Sequence, residues 1–128
     1  MSAHRVLIVD DDESVRSLLR MTLPTDEYTV AEASSGDEAL ARLDDEVPDL
    51  VLLDWKMPGQ HGSLVLDELK TRYPALPVIV LTAELAEHHR DLANALKVDA
   101  FLTKPFSPLE LLATVERLVG ERPVDEPA

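Results

Sequence analysis

The sequence predicts an α/β domain, a doubly wound five-stranded parallel sheet with five helices. Three observations carry that prediction. Short runs rich in Val, Ile and Leu recur at residues 6–9, 50–53 and 78–81, with a weaker run at 100–102 and a more polar segment at 28–33. Runs of this length without polar alternation suit strands buried on both faces. Helical patterns lie between and after the runs, so strand and helix alternate five times, as in parallel sheets with right-handed crossovers.

The elements follow in order. After the first strand, Val15, Leu18, Leu19 and Thr22 repeat at helical spacing and Pro24 ends the helix. The polar segment 28–33 leads to Ser34-Ser35-Gly36, has no charge at its end, and fits an edge strand remote from any site. Ala39, Leu40 and Leu43 mark a second helix before Pro48. Beyond the strand at 50–53, Val65, Leu66 and Leu69 mark a third before Pro74. Leu85, Leu92 and Leu96, flanked by Ala86 and Ala93, mark a fourth, whose apolar residues cover either core or a partner. Leu111, Leu112, Val115, Leu118 and Val119 mark the fifth, with Gly120 placed to stop it. Residues 1–120 are expected to form the domain. Residues 121–128, polar and Pro-containing, read as a loose tail or the start of a linker.

Composition excludes several classes. The 128 residues fit one domain. No cysteine is present, so disulfides and thiolate metal sites are excluded. The net charge of −13 makes nucleic acid a poor direct partner, because such binding neutralises phosphates with Lys and Arg. No apolar run approaches the ~20 residues of a spanning helix, and the start of the chain lacks signal-peptide organisation. A cytoplasmic protein with no membrane role is expected. His4, His61, His88 and His89 show no zinc spacing and read as solvated.

The chemistry follows the apolar runs. Val9 is followed by Asp10-Asp11-Asp12, Leu53 by Asp54, Leu81 by Thr82, and Leu102 by Thr103-Lys104. Ligands of open α/β sheets bind at the carboxyl ends of the strands, so these groups should gather at one end. Clustered carboxylates repel and call for a cation. Oxygen ligands without His or Cys favour a hard ion, magnesium, with manganese as the alternative. Ion and lysine would leave room for an anion, and one carboxylate could be a nucleophile, as in aspartyl-phosphate chemistry. Plainer readings exist for each residue. Asp12 suits a helix N-cap, Asp54 a turn, Thr82 a cap, Lys104 a solvated surface and Phe101 a core position.

These stretches together resemble response-regulator receiver domains over roughly residues 5–119. The matching segments are Val6-Leu7-Ile8-Val9-Asp10-Asp11-Asp12, Leu53-Asp54-Trp55-Lys56-Met57-Pro58-Gly59, Leu81-Thr82-Ala83 and Phe101-Leu102-Thr103-Lys104-Pro105-Phe106. The resemblance implies a flavodoxin-like fold with strand order 2-1-3-4-5. It implies Asp54 as phosphoacceptor, Asp11 as a direct magnesium ligand, Asp10 helping through water, and the Lys56 backbone carbonyl as a further ligand. Thr82 and Lys104 would contact the phosphoryl oxygens, and Phe101 would switch rotamer with Thr82. A cis Lys104–Pro105 bond is implied as well. The implied partner is a histidine kinase or histidine phosphotransfer protein, with the effector or output domain open. The implied activity is signalling, with no turnover beyond the domain's own phosphorylation and dephosphorylation.

Three departures from the family pattern stand out. Trp55 replaces a smaller aliphatic residue and would either shield the site or pack under the loop. Lys56 and Glu84 occupy positions that tune the lifetime of the phosphoryl group. Lys97 replaces a frequent glycine. Two other functions compete. Asp10-Asp11-Asp12 after a strand also fits a haloacid-dehalogenase-type phosphatase, but no further acidic ligand follows Lys104 before Glu110, and Asp54 would have no task. A flavin- or nucleotide-binding module would need a hydroxyl- and glycine-rich loop where three carboxylates stand.

Overall fold

A computed structural model describes residues 4–55, 62–82 and 98–121 of the chain. Among them are five strands, β1 (His4–Val9), β2 (Tyr28–Ala33), β3 (Leu50–Asp54), β4 (Val78–Thr82) and β5 (Ala100–Thr103). Four helices are described, α1 (Glu13–Thr22), α2 (Gly36–Asp45), α3 (Gly62–Arg72) and α4 (Pro108–Glu121). The helix expected around residues 85–96 lies outside the described residues, as do Lys97 and the tail.

The strands form one parallel sheet in the order β2-β1-β3-β4-β5. Every residue of β3 and β4 is buried. This is why the central runs are apolar without alternation, while β2 and β5 at the edges are mixed. Period-two alternation assigns the strand residues to two cores. Leu7, Val9, Val51, Leu53, Val78 and Val80 face one core with Ala39, Leu43, Val65, Leu66 and Leu69 of α2 and α3. Val6, Ile8, Leu50, Leu52, Ile79 and Leu81 face the other with Leu19 of α1 and Leu111 and Val115 of α4.

The helix ends follow local chemistry. Asp12 caps α1, its carboxylate accepting from the Ser14 N–H at 2.9 Å. Ser35 caps α2 through the Glu38 N–H, and the Glu38 carboxylate returns to the Ser34 N–H at 2.7 Å. Pro24 and Pro74 follow the ends of α1 and α3. One expectation is corrected. Gly120 does not end the last helix, which continues to Glu121. A Cβ there would meet nothing within 4 Å, so the glycine is an exposed helical position and not a left-handed cap.

Candidate functional site

The carboxyl ends of β1, β3, β4 and β5 bring the expected residues to one end of the sheet. Asp10 follows β1 and is 1 % exposed; Asp54 closes β3 at 5 %; Thr82 closes β4 at 1 %. Lys104 follows β5, and its backbone N–H donates to the Thr82 carbonyl at 2.7 Å. That bond extends the β4–β5 ladder, in which Thr82 pairs with Thr103, and sets the direction in which the lysine leaves the sheet. The Lys104–Pro105 bond is cis, as the resemblance implied.

The Lys104 ammonium lies 3.1 Å from an oxygen of Asp10 and 3.1 Å from an oxygen of Asp54. Burial works against its charge, but the two carboxylates outweigh burial and hold its pKa above the ordinary lysine value. Carboxylate oxygens of Asp10, Asp11 and Asp54 lie within 4.8 Å of one another. At an effective dielectric of ~20, a carboxylate–carboxylate repulsion at that distance is ~3 kcal/mol gross, and each lysine–carboxylate attraction is ~5 kcal/mol. One lysine therefore offsets the repulsion and still leaves two negative charges. An all-oxygen set with that residual charge fits a hard divalent cation.

Asp10 is held at every polar atom. Its N–H donates to the Ala33 carbonyl at 3.1 Å, and its Oδ1 accepts from the Asp12 N–H at 2.9 Å. Its carbonyl accepts from the Arg16 guanidinium at 2.7 Å. Asp11 is exposed. Asp12 takes the capping role, as its sequence position suggested.

Trp55 packs beneath the site and not over it. It is 4 % exposed within the α2–α3 core, among residues that include Val65 and Leu66. Its N–H donates to the Leu81 carbonyl, and its carbonyl accepts from the Gly62 N–H at 2.9 Å. A Cβ on Gly62 would lie 2.7 Å from the Trp55 oxygen and 2.9 Å from the Asp54 oxygen. Only glycine lets α3 begin this close to the end of β3. Phe101, on the edge strand β5, is half-buried and pairs in register with Val80. Lys56 and Glu84 lie outside the described residues.

One contact went unforeseen. Glu32 of β2, on the strand expected to lie remote from any site, accepts from Arg16 at 2.9 Å and pairs with Arg20 at 2.7 Å. Through Arg16 the edge strand reaches Asp10. The one sequence trace of this is the i, i+4 spacing of Arg16 and Arg20 on a helix that follows the acidic triplet.

Comparison with known proteins agrees with this geometry. Residues 6–116 match the response regulator receiver domain model. The alkaline phosphatase synthesis transcriptional regulatory protein PhoP of Bacillus subtilis is 36% identical over 124 residues, which cover 97% of this chain and 52% of that protein. The transcriptional regulatory protein ResD of the same organism is 39% identical over 115 residues, covering 90% of this chain and 48% of ResD. The chain thus spans about half the length of these curated relatives. The structure of the Vibrio cholerae chemotaxis protein CheY4 superposes with a TM-score of 0.86 at 31% identity, covering 91% of this chain and 99% of that one. With the strand order and the acidic end of the sheet, these matches establish that the chain belongs to the response regulator receiver domain family.

Proposed function

We propose that this chain accepts a phosphoryl group from a phosphohistidine onto Asp54 and thereby switches a partner-binding face. The observation that carries the reading is the Lys104 ammonium lying 3.1 Å from both Asp10 and Asp54, beside the exposed Asp11. Receiver domains act with histidine kinases and output effectors. The donor here would be a histidine kinase or a histidine phosphotransfer protein.

An Asp54 oxygen attacks phosphorus, the P–N bond to the donor histidine breaks, and the imidazole leaves as an acyl phosphate forms. Magnesium, or manganese in its place, would be held by Asp10, Asp11, Asp54 and the Lys56 carbonyl, and supplies charge neutralisation for the transferring group. Lys104 exchanges carboxylate oxygens for phosphoryl oxygens, and Thr82 offers its hydroxyl to the same group. Phe101, next to Leu102 on β5, follows Thr82 as the second half of the switch. Lys56 and Glu84 tune the lifetime of the adduct. An apolar groove lined by Val15, Leu18, Pro105 and Phe106 opens beside Lys104 and offers a protein donor a footing.

In this reading the chain is a cytoplasmic signalling protein and not a turnover enzyme. Its acidity argues against direct nucleic-acid binding. It works either alone or as the receiver part of a longer regulator. No helix among the described residues is long and apolar enough to cross a membrane.

The test is intact-protein mass after incubation with acetyl phosphate and magnesium. One phosphoryl adduct is expected on the wild type, and none on Asp54→Asn or without magnesium. An adduct that persists in Asp54→Asn would move the nucleophile to another carboxylate, Asp10 first.

A further inference from the structure

Among the described hydrogen bonds and ion pairs, Arg16 meets no carboxylate of the acidic cluster, yet its side chain is 15 % exposed and tied on two sides. Its Nη1 donates to the Asp10 carbonyl at 2.7 Å, and its Nε donates to Glu32 at 2.9 Å. The Asp10 carbonyl belongs to the peptide unit that leads into Asp11. The following unit, between Asp11 and Asp12, is held by its own N–H donating to Asp10 Oδ1 at 2.9 Å. Asp11 is therefore an exposed residue between two fixed peptide planes. Its direction is set from outside its own side chain.

We propose that Arg16, anchored by Glu32 of the edge strand, is a positioning residue for the cation site, because it fixes the peptide plane that aims the Asp11 carboxylate. The inference rests on the proposed cation site. Arg16 suits this task because a planar guanidinium can serve a carboxylate and a carbonyl at once, which a lysine ammonium does less well. Arg20 provides an internal control. It pairs with the other oxygen of Glu32 but has no contact with Asp10 among the described hydrogen bonds and ion pairs.

Charge and positioning predict opposite signs. Arg16 is a cation beside a cation site, so by charge alone its removal should tighten magnesium binding. Loss of positioning should weaken it, and removal of a residue that orients a metal ligand typically costs 10–100-fold.

The experiment is calorimetric titration of the full chain with magnesium chloride, with circular dichroism to check each fold. Arg16→Met is expected to bind magnesium about tenfold more weakly and Glu32→Gln more weakly to a smaller degree, while Arg20→Met stays within about twofold of wild type. Labelling of Arg16→Met by acetyl phosphate should recover at saturating magnesium, since Asp54, Thr82 and Lys104 are untouched. Unchanged or tighter binding by Arg16→Met overturns the proposal, and so does equal weakening by Arg20→Met. If Arg16→Met does not fold, Arg16→Lys decides the matter, with weaker binding in support and wild-type binding against. Asp11→Asn separates the two levels of the argument. If it binds magnesium like wild type, the cation site itself is wrong, and the proposal falls with it.

Discussion

Asp10 is buried and Asp11 exposed, although they are adjacent in the chain. Asp10 spends its hydrogen-bonding capacity on the protein, through the Asp12 N–H and Lys104. Asp11 keeps its carboxylate for solvent or an ion. Its oxygen lies within 4.8 Å of like charges, and Lys104, paired with Asp10 and Asp54, leaves two negative charges there uncompensated until a metal cation arrives. Asp11→Asn is therefore expected to raise the melting temperature in EDTA by a few degrees. Magnesium should raise that of the wild type by mass action and leave Asp11→Asn nearly unmoved. Thermal melts of both proteins with EDTA and with magnesium check this. A mutant that is less stable in EDTA would count against the repulsion. The acidic triplet, Asp54, Thr82 and Lys104 were legible as a site because each follows an apolar run, Lys104 one residue further on. Which carboxylate is buried was not legible, because burial depends on what crosses above the strand end.

At the level of elements, one device appears twice at the opposite end of the sheet. Asp49 immediately precedes β3. Its N–H donates to the Arg5 carbonyl at 2.8 Å and its carboxylate accepts from the Arg5 N–H at 2.8 Å. Asp99 immediately precedes β5 and makes the same pair of bonds with Val78, while Lys70 of α3 binds both Asp99 and the Leu76 carbonyl. These aspartates set the register of parallel neighbours where each strand starts. Asp99→Ala leaves the Val78 N–H without its acceptor and should cost about 1–3 kcal/mol. Urea unfolding should show a lower midpoint at unchanged slope. The start of α2 supplies a pH prediction. Backbone and hydroxyl hydrogen bonds from Ser34 hold the Glu38 carboxyl below its ordinary pKa of 4.5. A carboxyl with a depressed folded pKa stabilises fully above its unfolded value and loses that contribution as pH falls through the folded value. The melting temperature of wild type should exceed that of Glu38→Gln at neutral pH, and the gap should narrow in acid below pH 4.5. The group is largely exposed, so the effect is small, and a pH-independent gap would refute it. Neither aspartate stood out in the sequence. Their strand-end role depends on which strand lies alongside, which local pattern does not encode.

At the scale of the molecule, two cores back a single sheet among the described residues, and the candidate site occupies one end of it. The sequence by itself determined the strands, most helix limits and the end of the sheet at which the site forms. Those features depend on short-range physics. Apolar runs without alternation must be buried on both faces, proline stops a helix, and a polar residue after a buried strand emerges at its carboxyl end. Helix α4 is a limited exception, because glycine at an exposed helical position is a mild penalty that the preceding turns overcome. Tertiary structure alone decided the rest. Lys104 meets Asp10 across 94 residues of chain and Asp54 across 50, and strand register sets the 3.1 Å distances. Trp55 turned into the α2–α3 core because Gly62 lets α3 start against the end of β3. Glu32 became part of the support for Asp10 because parallel pairing carries β2 along β1, opposite Ile8, within reach of Arg16. Each of these outcomes is a meeting of segments distant in sequence, and only the packed sheet specifies such meetings.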